Sequence, residues 1–86
     1  MTTTPVGTAK PTLSEQVARE IRAEMGRQRM SAAKLARELG VSEAWTSRRL
    51  SGDQTIDLHD LERIADVLGV TVIELFPADK VRPNNR

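Results

Sequence analysis

The fold of this 86-residue chain is decided by residues 31–52, SAAKLARELGVSEAWTSRRLSG. The stretch predicts two short helices joined by a tight turn. Ser31 and Ser42 are placed as N-cap residues, whose hydroxyl oxygen can accept a hydrogen bond from a backbone N–H of the first turn. Gly40 can adopt the positive φ with which many helices end. Only a tight turn then fits before the second helix, which begins at Glu43.

Composition favours packed helices around this unit. Hydrophobic residues make up 38% of the chain and the only aromatic side chains are Trp45 and Phe76, so the core must come from aliphatic residues. The length is enough for one small domain. The chain has no cysteine, which excludes disulfides and thiolate zinc sites. No apolar run predicts a membrane span or a signal peptide, and we expect a cytoplasmic protein.

A supporting helix is predicted before this unit. Thr12 and Glu15 have the spacing of a capping box, so the helix should begin at Thr12. Gly26 is expected to end it. Between them, apolar residues recur every four positions and form one stripe: Val17, Ile21 and Met25.

Two more helices are predicted after the unit. Asp57 is the expected N-cap of the fourth, whose core stripe is Leu58, Leu61, Ile64, Ala65 and Leu68. Thr71 and Glu74 predict a short fifth helix, which Pro77 should stop. The expected fold is therefore all-α, with five helices in one domain over 12–76. Polar segments at 1–11 and 77–86 are expected to be a flexible arm and a flexible tail.

The third helix, from Glu43 to about Ser51, is unusually polar. Its only apolar contacts are expected from Trp45, Leu50 and the methyl group of Thr46, so much of its surface should face something other than the core. Charge is also uneven along the chain. Residues 1–52 carry nine Lys or Arg against five Asp or Glu, whereas residues 53–76 carry one Arg against six acids. This pattern fits a positive face turned to phosphate, or simply two solvated surfaces of opposite sign.

Several of these residues resemble the helix-turn-helix domain of phage repressors and Cro proteins, the family often called XRE. The matching residues are Leu35-Ala36, Gly40-Val41-Ser42, Ser47-Arg48 and Gly52, and LERIADVLGVTVIELF is similar to the family's fourth and fifth helices. The resemblance implies a compact, lambda-repressor-like domain that binds double-stranded DNA, with the third helix in the major groove.

The resemblance also implies contact residues. Glu43, Ala44, Ser47 and Arg48 are the expected base-contacting positions. Arg48 could donate two hydrogen bonds to guanine, while Glu43 could accept one from cytosine or simply favour the helix dipole. The expected phosphate contacts are Ser31, Ala32, Ala33, Lys34, Arg49 and Gln54.

Three positions depart from the family. Ala32 stands where a phosphate-binding Gln is frequent, and Thr46 and Arg49 stand where aliphatic residues are usual. We expect Trp45 to cover the junction of the second and third helices, with the stem of Arg49 alongside. The sequence alone allows Arg49 and Trp45 to face either DNA or the core.

The leading hypothesis is a sequence-specific DNA-binding transcriptional regulator, Cro-like or antitoxin-like, without a large second domain and acting as a homodimer. It would be nucleoid-associated in a bacterial host. We expect no catalysis, cofactor or small-molecule ligand. No metal site is expected either, because His59 and its neighbouring carboxylates do not converge. The alternative is a protein-interaction module on the same scaffold.

Overall fold

The computed structural model describes residues 10–81 and is helical throughout, with no strand among these residues. Its α-helices are α1 (Leu13–Gln28), α2 (Ala32–Leu39), α3 (Glu43–Ser51), α4 (Leu58–Leu68) and α5 (Ala78–Val81), and a 3₁₀ turn spans Ile73–Leu75. The all-α prediction is confirmed. Of the predicted arm at 1–11, residues 1–9 lie outside the described residues. Of the predicted tail at 77–86, residues 82–86 lie outside them, and α5 forms within the rest, where no helix was expected.

The predicted N-caps are confirmed for α1 to α4. At the start of α1, Glu15 N–H donates to Thr12 Oγ1 over 3.0 Å, and Thr12 N–H donates to the Glu15 carboxylate over 2.8 Å. Corresponding cap bonds start the next three helices, with Ser31, Ser42 and Asp57 as acceptors. Each bond satisfies a backbone donor that the helix itself leaves without a partner.

The predicted end of α1 at Gly26 is wrong. The helix continues through Gln28, and Arg29 takes the left-handed conformation, with φ 57°. Arg29 N–H donates to the Gly26 carbonyl and Met30 N–H to the Met25 carbonyl, so the terminal carbonyls are satisfied two residues later than expected. This end is favoured because it lets Met30 pack against the core.

The core lies where α1, α2, α4 and the 3₁₀ turn meet. Its largest fully buried apolar side chains are Ile21, Leu35, Ile64 and Leu75, one from each element. The predicted stripe of α4 is confirmed except for Leu58, which is 73% exposed. Leu58 is the first residue of α4 and lies beyond the edge of the core. Ile56, just before the helix, is buried instead.

The C-terminal end differs from the predicted fifth helix. Thr71 Oγ1 accepts from Glu74 N–H over 3.2 Å, as the spacing predicted, but the segment closes as a 3₁₀ turn. Pro77 ends that turn and its carbonyl accepts from Lys80 N–H, so a helical turn begins again at Ala78. Proline is well suited to the start of a helix because its φ is already helical.

Candidate nucleic-acid interface

A tight turn joins α2 and α3. Gly40 has φ 74°, and Val41 N–H donates to the Ala36 carbonyl over 3.0 Å. A Cβ on Gly40 would meet no atom within 4 Å, so glycine is favoured here by its φ and not by lack of space. Ala36 is buried in α2, and the helices therefore approach closely.

Few side chains attach α3 to the rest of the domain. Thr46 and Leu50 are buried and Trp45 is half-buried. Thr46 is only 2% exposed, and its hydroxyl donates to the Ser42 carbonyl over 3.2 Å. A hydroxyl group is unusual on the inward side of a helix, and this hydrogen bond gives the buried hydroxyl of Thr46 a partner.

The predicted base-contacting residues form one exposed surface, which we name the outer face of α3: Glu43, Ala44, Ser47 and Arg48. Their spacing of three and four residues places them side by side on the helix. The structure thus brings together the whole predicted set, with one guanidinium, one carboxylate and one hydroxyl available for hydrogen bonds.

The predicted phosphate contacts on α2 lie at its N-terminus. Ser31 Oγ accepts from Lys34 N–H, so this oxygen serves as the cap. The first intrahelical bond runs from Leu35 N–H to the Ser31 carbonyl, which leaves the N–H groups of Ala32 and Ala33 without an intrahelical acceptor. Lys34 is exposed beside them.

Gln54 follows α3 in an exposed loop. Its backbone N–H donates to the Arg48 carbonyl over 3.0 Å, so only its side-chain amide is available to a ligand.

Arg49 is not part of the exposed surface. Its guanidinium carbon lies 4.0 Å from the centroid of the Trp45 ring, and Nη1 donates to the Trp45 carbonyl over 3.2 Å. The side chain is 17% exposed and points towards Asp60 of α4. Arg49 therefore lies across the domain, and its predicted phosphate contact has no support in this geometry.

Trp45 faces the core. Its half-buried ring packs against the hydrophobic cluster, and the Arg49 guanidinium lies over the ring. These contacts within the domain favour the packing role of Trp45 over stacking on a nucleic-acid base.

Three further residues hold the unit in place, and no sequence signal indicated them. Arg22 of α1 donates to the Leu50 carbonyl, and Arg63 of α4 donates to the Leu39 carbonyl. Ser14 Oγ accepts from Ile56 N–H over 2.9 Å and fixes the loop after α3. Carbonyl acceptors carry no residue identity, so these bonds leave no pattern in the sequence.

Two carboxyl groups titrate away from their ordinary values. The backbone N–H of Asp60, which donates to the Asp57 carboxylate, lowers the pKa of Asp57. Hydrogen bonds from Gln28 and then Arg27 lower the pKa of Glu24. Both groups support helix structure and lie outside the outer face of α3.

Residues 10–81 show neither a membrane-crossing helix nor a metal-binding cluster. No helix in that range is both long and apolar enough to span a bilayer. In the same range, no three His, Asp or Glu side chains are grouped so that they could hold a metal ion.

Residues 16–75 match the family model described as a helix-turn-helix domain, which covers the described unit from α1 to the 3₁₀ turn. The chain belongs to the helix-turn-helix domain family. Comparison with curated proteins gives no significant match.

Solved structures share the fold. The clp gene regulator ClgR from Corynebacterium glutamicum superposes with TM-score 0.73 at 21% identity, over 78% of this chain and 71% of its own. The hypothetical transcription factor NHTF from Neisseria gives TM-score 0.72 at 25% identity, over 83% and 84% of the two chains.

An enzyme also contains this fold. Hydroxypropylphosphonic acid epoxidase from S. wedmorenis matches with TM-score 0.67 at 28% identity, over 79% of this chain but only 36% of its own. The epoxidase is thus matched over about a third of its length, and its activity is not assigned to this chain.

Proposed function

We propose that this protein binds double-stranded DNA in a sequence-specific manner and regulates transcription. The observation that carries the proposal is the outer face of α3, four adjacent exposed residues on a helix whose buried side chains are only Thr46 and Leu50. The major groove of B-DNA admits one α-helix, and its base edges present donors and acceptors that match such side chains.

Each residue of the outer face has a proposed role. Arg48 donates two hydrogen bonds to O6 and N7 of a guanine. Glu43 accepts from a cytosine amino group, and Ser47 bonds to either base of a pair. Ala44 contacts a thymine methyl group.

Phosphate contacts are proposed at both ends of the unit. The free N–H groups of Ala32 and Ala33, with the Ser31 cap, meet one phosphate, because a helix N-terminus favours an anion. Lys34 and the side chain of Gln54 are the flanking contacts. We leave Arg49 out of this set because its guanidinium is engaged with Trp45.

The charge distribution supports this orientation. The exposed charged residues of α2 and α3 are Lys34, Arg37 and Arg48 against Glu38 and Glu43, whereas those of α4 and its cap are Asp57, Glu62 and Asp66. The side proposed to face phosphate is thus less acidic than the side of α4, and this difference favours approach in one direction.

A homodimer on an inverted repeat belongs to the same proposal, since one recognition helix contacts only a few base pairs. The proposed type of regulator is a Cro-like repressor of the XRE group or an antitoxin. Regulation of transcription places the protein with the DNA, in the cytoplasm of a bacterial host. A protein-interaction module is less well supported, because the Trp45 ring that such an interface would use is half-buried and has the Arg49 guanidinium over it.

The test is selection from a random duplex library with the wild type, Arg48→Ala and the control Arg27→Ala. Arg27 is an exposed α1 arginine paired with Glu24 and distant in sequence from α3. The wild type and the control should recover one motif, and Arg48→Ala should relax one guanine position at a cost of about 1–3 kcal/mol. Binding should weaken steeply with salt. Recovery of no motif by the wild type at moderate salt would contradict the proposal.

A further inference from the structure

A group of charged side chains links α4 to both helices of the helix-turn-helix unit. Asp60 of α4 lies between two arginines: its Oδ1 is 3.8 Å from Arg63 Nη1, and its Oδ2 is 3.9 Å from Arg49 Nε. Both distances exceed a hydrogen bond, so the attraction is between charges. We name Arg49, Asp60 and Arg63 the Asp60 cluster.

Each arginine of the cluster holds a different helix. Arg63 donates to the carbonyl of Leu39, the last residue of α2, where a cation is favoured by the helix dipole. Arg49 stacks on Trp45 and donates to its carbonyl, within the first half of α3. The cluster therefore joins the C-terminus of α2 to the N-terminal half of α3 through α4.

The cluster differs from an ordinary surface ion pair. In the pair of Arg49 and Asp60 both side chains are shielded, at 17% and 15% exposed, and Arg63 is 37% exposed. In the pair of Arg27 and Glu24, only Glu24 is shielded, at 17%, while Arg27 is 64% exposed. Water and salt screen shielded charges less. In addition, Arg49 Nε is buried and makes no hydrogen bond, so the Asp60 carboxylate is its nearest opposite charge.

The direction of Arg49 constrains the direction of Arg48. Consecutive residues of an α-helix project about 100° apart, so turning Arg49 inward towards Trp45 and Asp60 turns Arg48 outward. The apolar contacts of Thr46 and Leu50 limit how far α3 can move away, but apolar contact is not directional. The contacts of the planar Arg49 guanidinium with the Trp45 ring, the Trp45 carbonyl and the Asp60 carboxylate do depend on direction.

We propose that the Asp60 cluster sets the rotation of α3 about its axis, with Arg49, Asp60 and Arg63 as positioning residues for the outer face of α3. The consequence for DNA reading rests on the function proposed above. The rotation of α3 itself is a property of the free protein and is tested without DNA.

The first experiment uses Trp45, the chain's only tryptophan, as the reporter in the full-length protein. Emission and acrylamide quenching are compared for Arg49→Met, Arg49→Lys, Asp60→Asn and the control Arg27→Met. Arg49→Met should shift emission to longer wavelength and increase quenching, because without the charge that Asp60 attracts, the side chain no longer holds α3 against α4 and the Trp45 ring turns towards water. Asp60→Asn should do the same to a smaller extent, Arg49→Lys should not restore the wild-type signal, and the control should match the wild type.

Circular dichroism separates a change at Trp45 from unfolding. If Arg49→Met does not fold, Asp60→Asn decides, because it keeps the shape of the side chain and removes only its charge. Wild-type quenching in a folded Arg49→Met or, failing that, in a folded Asp60→Asn would overturn the proposal.

The second experiment compares the affinities of one protein for two duplexes. The first is the selected duplex, and the second is the same duplex with the guanine that Arg48 contacts replaced. The measured quantity is the ratio of the two affinities. A cluster variant that rotates α3 should reduce this ratio about tenfold, the loss of about 1.4 kcal/mol of base readout, while the salt dependence is retained. Partial unfolding alone would weaken both duplexes equally and leave the ratio unchanged, and that result would overturn the positioning role. If the wild type selects no duplex, the proposed function fails, and the quenching experiment still decides the orientation of α3.

Discussion

Substitution by alanine should have opposite effects on the stability of the domain at Gly26 and at Gly40. A Cβ at Gly26 or at Gly40 would meet no atom within 4 Å, so neither substitution causes a clash. Gly26 lies inside α1, whereas Gly40 has φ 74°. Gly26→Ala should therefore stabilise the domain by about 0.5–1 kcal/mol, because alanine loses less conformational freedom in a helix. Gly40→Ala should destabilise it by about 1–2 kcal/mol, the cost of a left-handed L-residue.

The assay is thermal unfolding followed by far-ultraviolet circular dichroism. For a domain of this size, 1 kcal/mol shifts the Tm by about 4–8 °C, so the two variants should separate clearly on either side of the wild type. Arg29→Gly is a third variant at the same helix end and should stabilise by about 0.5–1 kcal/mol, since it relieves the left-handed conformation of Arg29 at some cost in unfolded-state entropy. A lower Tm for Gly26→Ala would refute the reasoning, because it would mean that α1 ends at Gly26.

Two further predictions concern α4 and pH. Leu61→Ala should lower the free energy of unfolding by about 2–5 kcal/mol because Leu61 is buried, whereas Leu58→Gln should change it by less than about 0.5 kcal/mol. Urea unfolding of both variants measures these changes. A large cost for Leu58→Gln would contradict the exposed position of Leu58. The folded-state pKa values of Asp57 and Glu24 lie below their ordinary values of 3.8 and 4.5. Both carboxylates therefore stabilise the fold at a pH above these ordinary values. This stabilisation is lost as the pH falls through the lowered pKa values. The Tm should therefore fall below about pH 4, and Asp57→Asn, which keeps the cap, should show a smaller fall than the wild type.

Local structure was largely predictable from the sequence because its causes are local. The caps of α1 to α4 depend on a side chain and a backbone N–H three residues apart, and such spacing can be read directly. The turn at Gly40 and the stripe of α1 follow in the same way. The polar character of α3 predicted that much of its surface is exposed. The family resemblance supplied the positions Glu43, Ala44, Ser47 and Arg48, and all four are exposed.

The errors arose where local signals competed. Gly26 and Arg29 both lie near the end of α1, and the packing of Met30 selected the later end against the residue preference. Leu58 fits the periodicity of α4, but the core does not extend to the first turn of that helix. Periodicity gives the direction of a side chain and not the distance to the nearest neighbouring element.

The sequence by itself therefore determined α1 to α4 and their order, because these depend on contacts within a few residues, and it predicted the residues of the outer face of α3 through the family resemblance. Only the tertiary structure decided what holds that face in place. Arg22 and Arg63 bind backbone carbonyls, 28 and 24 residues away along the chain. Arg49, next to Arg48 in sequence, turns inward because Trp45 and Asp60 meet it there. Such contacts between distant segments exist only after α1, α2, α3 and α4 have packed together.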